Sequence, residues 1–145
     1  MKIFLDANIF IAATGSETGG SRYIFHIAQK DEKIHLVTTR YVLEEASRNI
    51  KKKMNNKYSF FSSLITSGIF TVVEEPPMKL IQEVQKVIKE KDAPVLAGAV
   101  FAGADILCTL DREDFFTKKV ENWCKKLGIK LLIPGEFLED WRKHH

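Results

Sequence analysis

Lys2-Ile3-Phe4-Leu5-Asp6-Ala7-Asn8 opens with a short apolar run of strand length that meets a carboxylate at Asp6. The same event recurs late in the chain as Ile106-Leu107-Cys108-Thr109-Leu110-Asp111. Both runs are apolar on consecutive residues, not on alternate ones, which suits strands covered on both faces, as in a parallel sheet. Working outward, the other strand candidates are 34–38, 70–73 and 129–133, which join 2–5 and 106–109. Helical spacing of apolar residues fills the intervals at 21–29, 40–53, 57–67, 78–90, 93–102 and 117–127. This alternation predicts an α/β protein of three layers, α/β/α, around a central parallel sheet of about five strands. Gly68 and Gly128 stand where helices stop, while Pro76-Pro77 and Pro134-Gly135 mark turns into new helices.

With 145 residues, 45% of them hydrophobic, the chain supports one core. Residues 1–143 therefore read as a single domain, and His144-His145 as the remnant of a purification tag. Charged residues at 28% and aromatics at 10% exclude disordered and low-complexity classes. The uncharged run from Ala93 to Ala104 is far short of the ~20 residues that span a bilayer. Met1 to Ala13 is broken by Asp6 and Asn8 and has no cleavage site, so no signal peptide is expected and the protein reads as cytoplasmic. Cys108 and Cys124, in apolar settings and without CxxC spacing, read as reduced buried thiols.

In an open sheet, ligands bind beyond the carboxyl ends of the strands. Asp6 follows the first strand, Glu45 lies on the helix after the second, Asp92 opens a helix, and Asp111 and Asp114 follow the strand ending at Thr109. Taken singly, the aspartates have a simpler explanation as helix caps. Taken as a set they would share one crevice, where two like charges ~4 Å apart cost about 4 kcal/mol at an effective dielectric of ~20. A bound cation relieves that cost, and oxygen ligands without Cys or His select Mg²⁺ or Mn²⁺. Glu44 and Glu45 compete for one role. Helical phase places Glu45 about 60° from Val42, beside the apolar stripe of Val42, Ala46 and Ile50, and Glu44 about 160° away.

These residues, in this order, resemble the PIN domain family of metal-dependent ribonucleases, in particular small stand-alone toxins of the VapC type. The matching segments are Ile3-Phe4-Leu5-Asp6-Ala7-Asn8, Thr39-Arg40-Tyr41-Val42-Leu43-Glu44-Glu45, Asp92-Ala93-Pro94-Val95-Leu96 and the stretch from Ala104 to Phe115. Gly128-Ile129 to Pro134-Gly135-Glu136-Phe137 closes the match. The resemblance implies an acidic quartet at Asp6, Glu45, Asp92 and Asp111, with Asp114 auxiliary and Asn8 and Thr109 supporting. It further implies one or two Mg²⁺ or Mn²⁺ ions held by Asp6, Asp92, Asp111 and Asp114, and RNA cleavage leaving a 5′-phosphate and a 3′-hydroxyl. Partners implied are RNA, a small antitoxin that fills the crevice with a basic side chain, and a second copy in a homodimer.

Two divalent ions ~3.5 to 4 Å apart activate water and stabilise the leaving oxygen without a side-chain nucleophile. A metal-free route would need paired histidines, and outside the tail only His26 and His35 exist. The net charge is +3, from 22 basic and 19 acidic residues; setting aside five site carboxylates leaves 14 acids and a surplus of +8, suited to a polyanion. Lys51-Lys52-Lys53 and Lys57 with Tyr58 form the densest basic stretch and the RNA-contact candidate, followed by Lys118-Lys119 and Lys125-Lys126. A haloacid-dehalogenase-type phosphatase is disfavoured because its second acid would fall on Asn8, and a response-regulator receiver because Asp6 lacks an acidic neighbour. The alternatives within the family are an RNA-processing nuclease without an antitoxin and a silent scaffold that binds RNA or protein.

Overall fold

The computed structural model describes residues 1–144. Its strands are β1 (Lys2–Leu5), β2 (His35–Thr39), β3 (Phe70–Val73), β4 (Ile106–Cys108) and β5 (Lys130–Leu132). They form one sheet, all parallel, in the order β3-β2-β1-β4-β5. The helices are α1 (Ala7–Gly15), α2 (Gly20–Lys30), α3 (Arg40–Lys53), α4 (Tyr58–Ser67), α5 (Met78–Val84), α6 (Ala93–Phe101), α7 (Arg112–Phe115), α8 (Lys118–Lys126) and α9 (Pro134–Lys143). The α/β class and the five expected strands are present, three of them with ends shifted by one residue. None of these helices is long and apolar enough to cross a membrane.

The continuous apolar character of β1 follows from its place at the centre of the sheet, where Ile3, Phe4 and Leu5 have no exposed surface. Beside it, Phe10 of α1 meets the rings of Phe25, Phe61 and Phe70 at centroid distances of 5.6, 6.2 and 5.2 Å. Helix α6 packs close on the sheet at Gly98, where a Cβ would stand 3.1 Å from Phe4 Cζ and 3.3 Å from Thr39 Cγ2. Helix α4 stops at Gly68, whose φ of 74° is a left-handed conformation that other residues adopt at a cost. Cys108 and Cys124 are free and buried.

Two elements depart from expectation. The stretch Ala7–Gly15 is a helix that periodicity does not reveal, because it is apolar on nearly every side and buries five of its residues. The helix expected over 78–90 ends at Val84, and the chain turns through 85–92 while still burying Val84 and Ile88. Those two residues keep a helical spacing in sequence although the backbone has left the helix. His145 of the supposed tag lies outside the described residues; the His144 ring contacts the Asp140 carbonyl at 2.8 Å.

From β1 the chain steps one way to β2 and β3, and on the other side of β1 it places β4 and then β5. The connections diverge between β1 and β4. A crevice opens at their carboxyl ends, the switch point of an open α/β sheet.

Candidate metal centre

Asp6 leaves β1 at this switch point, its amide bonded to the Cys108 carbonyl at 3.1 Å. Its two oxygens do different things. Oδ1 accepts from the Ala7 amide at 2.7 Å and so opens α1, while Oδ2 accepts from the Thr109 hydroxyl at 2.8 Å and from Asn8 Nδ2 at 3.3 Å. Asn8 also donates to Thr109 Oγ1 at 3.1 Å and accepts from the Leu110 amide at 3.0 Å, which ties the ends of β1 and β4 together. Asp6 is 6% exposed. Burial pushes its carboxyl up to about 6, the Thr109 and Ala7 hydrogen bonds pull the other way, and the charges of Glu45 and Asp111 add to the rise.

Beyond β4, Thr109 Oγ1 accepts from the Asp111 amide at 3.1 Å, and Asp111 Oδ1 accepts from the Asp114 amide at 3.1 Å. These short-range bonds turn Asp111 and Asp114 back toward Asp92 at the start of α6. One carboxylate oxygen from each of Asp92, Asp111 and Asp114 lies within 4.8 Å of the others. Asp92 Oδ2 is buried and receives no hydrogen bond. Burial, and then contact with Asp114, raise the Asp92 carboxyl to about 7. Asp114 is held far below the usual carboxylate range, chiefly by Lys89 and then by Lys91, each with its ammonium 3.0 Å from one of its oxygens.

Helix α3 begins at Thr39, whose hydroxyl caps it by accepting from the Val42 amide at 3.4 Å. One turn on, half-buried Glu45 faces the crevice, and the exposed Glu44 pairs with Arg40 at 3.0 Å instead. Asp6, Asn8, Glu45, Asp92 and Asp111 thus line one cleft of about 190 Å³, with Asp114 at its edge and Thr109 beneath. A larger, mainly apolar cleft of about 560 Å³ lies at the amino ends of the strands, between Met1, Ile106, Phe137 and Trp141. The carboxylates converge in the smaller one.

The donor set fits a hard divalent cation: every candidate ligand is an oxygen, three carboxylates converge, and one buried carboxylate oxygen has no donor of its own. Lys51, Lys52 and Lys53 are exposed on the last turn of α3, outside this cleft. Lys51 stands over the Tyr58 ring at 5.1 Å, and Lys57 donates to the Gly15 carbonyl at 3.0 Å. His26 and His35 are exposed and outside the cleft as well. Sequence reading missed Lys89 and Lys91, which the turns after α5 bring onto Asp114. Their signal was position: they stand three residues and one residue before the acid that opens α6.

A doubly wound parallel sheet with an all-oxygen acidic crevice at its switch point defines the class. The sequence matches no family model and no curated protein. Its fold is that of a VapC-type PIN domain, as the resemblance implied. It is similar to a chain of VapBC2 from Rickettsia felis, solved bound to a DNA fragment from its promoter, with a TM-score of 0.65 and 15% identity over 92% of this chain and 98% of that one. PAE2754 from Pyrobaculum aerophilum is similar too, with a TM-score of 0.57 and 23% identity over 88% of this chain and 95% of that one.

Proposed function

We propose that this protein is a Mg²⁺- or Mn²⁺-dependent ribonuclease and the toxin of a toxin–antitoxin pair. The observation that carries the reading is the Asp92–Asp111–Asp114 cluster, with its donor-less buried oxygen, facing Asp6 and Glu45 across one cleft. Asp6, Asp92 and Asp111 would hold the ion, with Asp114 beside them; Glu45 would orient a second ion or the attacking water. A divalent ion bound there supplies Lewis-acid stabilisation of a phosphodiester and a more acidic water. What the chain itself does is orient. Thr109 and Asn8 hold Asp6 Oδ2, the α1 amide holds Oδ1, and the backbone after β4 turns Asp111 inward.

The basic surplus suits RNA, with Lys51, Lys52, Lys53 and Lys57 as outer contacts. The fold likeness to a VapBC2 chain supports an antitoxin partner, whose arginine would meet the carboxylates bidentately. A homodimer acting in the cytoplasm completes the reading. The test is cleavage of a labelled structured RNA in Mn²⁺ or Mg²⁺, with EDTA and Asp6→Asn in parallel. Cleavage abolished by both controls supports the nuclease. If the metal neither supports cleavage nor raises the melting temperature of the wild type, the reading fails.

A further inference from the structure

Asp114 has a side chain only 7% exposed, yet two lysine ammoniums converge on it: Lys89 Nζ lies 3.0 Å from Oδ1 and Lys91 Nζ 3.0 Å from Oδ2. Lys91 also stands 3.6 Å from Asp92 Oδ2, the buried oxygen that receives no hydrogen bond. The two lysines come from the turns between α5 and α6, and their side chains are 64% and 67% exposed. Their stems are therefore mostly in water, and little besides the carboxylates holds the ammoniums in place. Two ammoniums carry the same charge as one divalent ion, and they sit on Asp114 and Asp92, two of the three carboxylates that converge there.

We infer that Lys89 and Lys91 are tethered counter-cations that stabilise the metal-free crevice and that a divalent ion must displace, so that they set the metal affinity of the site. The inference rests on the metal-dependent reading above. Without the lysines, the four acids that line the cleft and Asp114 at its edge would repel one another. With them the protein keeps its site formed when metal is scarce, and binding becomes an exchange of cations instead of the filling of bare charge. An exposed lysine suits such an exchange, because its ammonium moves into water with no loss of packing.

The test is Mn²⁺ titration by calorimetry, together with thermal melts with and without Mn²⁺. It uses the full chain as wild type, Lys89→Gln/Lys91→Gln, Lys89→Arg/Lys91→Arg, Lys91→Gln alone, and Asp111→Asn. The glutamine pair should bind Mn²⁺ about tenfold more tightly, melt lower than wild type without metal, and match it when saturated. The arginine pair should stay near wild type, and Lys91→Gln should lie between wild type and the glutamine pair. Unchanged affinity in the glutamine pair, or a melting temperature lowered equally with and without Mn²⁺, overturns the inference. If Asp111→Asn abolishes Mn²⁺ binding while the glutamine pair matches wild type, the metal site stands and only the role of the lysines falls. If wild type and glutamine pair both bind no Mn²⁺, the metal reading fails and takes the inference with it.

Discussion

Asp6 shows how a carboxylate at a strand end can cap a helix and still turn an oxygen to the crevice. One oxygen is spent on the Ala7 amide, and that bond aims the other across the crevice toward Thr109 and Asn8. Asp111 works likewise, with Oδ1 on the Asp114 amide. Asp6→Asn and Asp111→Asn should each lower metal-dependent RNA cleavage by at least about a hundredfold, measured as initial rates in Mn²⁺. Thr109→Val removes the hydroxyl that links Asp6, Asn8 and the Asp111 amide, and should cost about ten- to a hundredfold in Mn²⁺ affinity by calorimetry.

Two raised carboxyls, those of Asp6 and Asp92, give the metal-free protein a pH signature. Asp6 titrates at about 6 and Asp92 at about 7 in the fold, both above the ordinary 3.8. The native state therefore holds protons that the unfolded chain has released, and stability from these groups falls as pH rises from about 4 to about 7. Asp114 has the opposite sign. Its pairing contributes above the ordinary carboxylate range and is lost only as pH falls below it, so its contribution stays constant between pH 5 and 8. The gain in melting temperature on adding Mn²⁺ should accordingly be larger at pH 7.5 than at pH 5.5. A gain that shrinks with rising pH would contradict this.

At the scale of the element, α3 separates two adjacent glutamates by phase alone. Glu45 faces the cleft, and Glu44 pairs with Arg40 in solvent. Glu45→Gln should reduce cleavage by about tenfold or more, whereas Glu44→Gln should leave the rate near wild type and cost only about 0.3–0.5 kcal/mol in denaturant titration. Helix α6 makes a different demand. Gly98 lets it approach Phe4 and Thr39, and Gly98→Val should destabilise by about 1–3 kcal/mol through overpacking, read as a lower urea midpoint. The α3 phase was legible in the sequence because its apolar stripe is narrow. Helix α1 was not, because a helix buried all round has no stripe to read.

Over the whole molecule, the apolar side chains gather in the core and the acidic ones at the carboxyl rim of the sheet. Phe10 has no exposed surface and touches three other rings, so Phe10→Ala should cost about 3–5 kcal/mol in chemical denaturation whether or not metal is present. A cost that vanished in Mn²⁺ would mean that the metal, not the core, holds the fold. The acids at the strand ends could be found from sequence because each follows directly on an apolar run, and backbone connectivity carries such a residue to the carboxyl edge of the sheet. Asp92 needed more, because it follows no strand and reaches the edge only as the first cap of α6.

The sequence by itself determined the α/β class, the five strands and the acids at their ends, because apolar runs and helical spacing are local patterns that the backbone turns directly into elements. Only the tertiary structure decided that the chain steps away from β1 on both sides, that Asp92, Asp111 and Asp114 share 4.8 Å, and that Lys89 and Lys91 reach Asp114. Those facts depend on strand order and on where the turns after α5 deliver their side chains. Each is set by which surfaces bury one another across the whole chain, a long-range matter that no local spacing encodes.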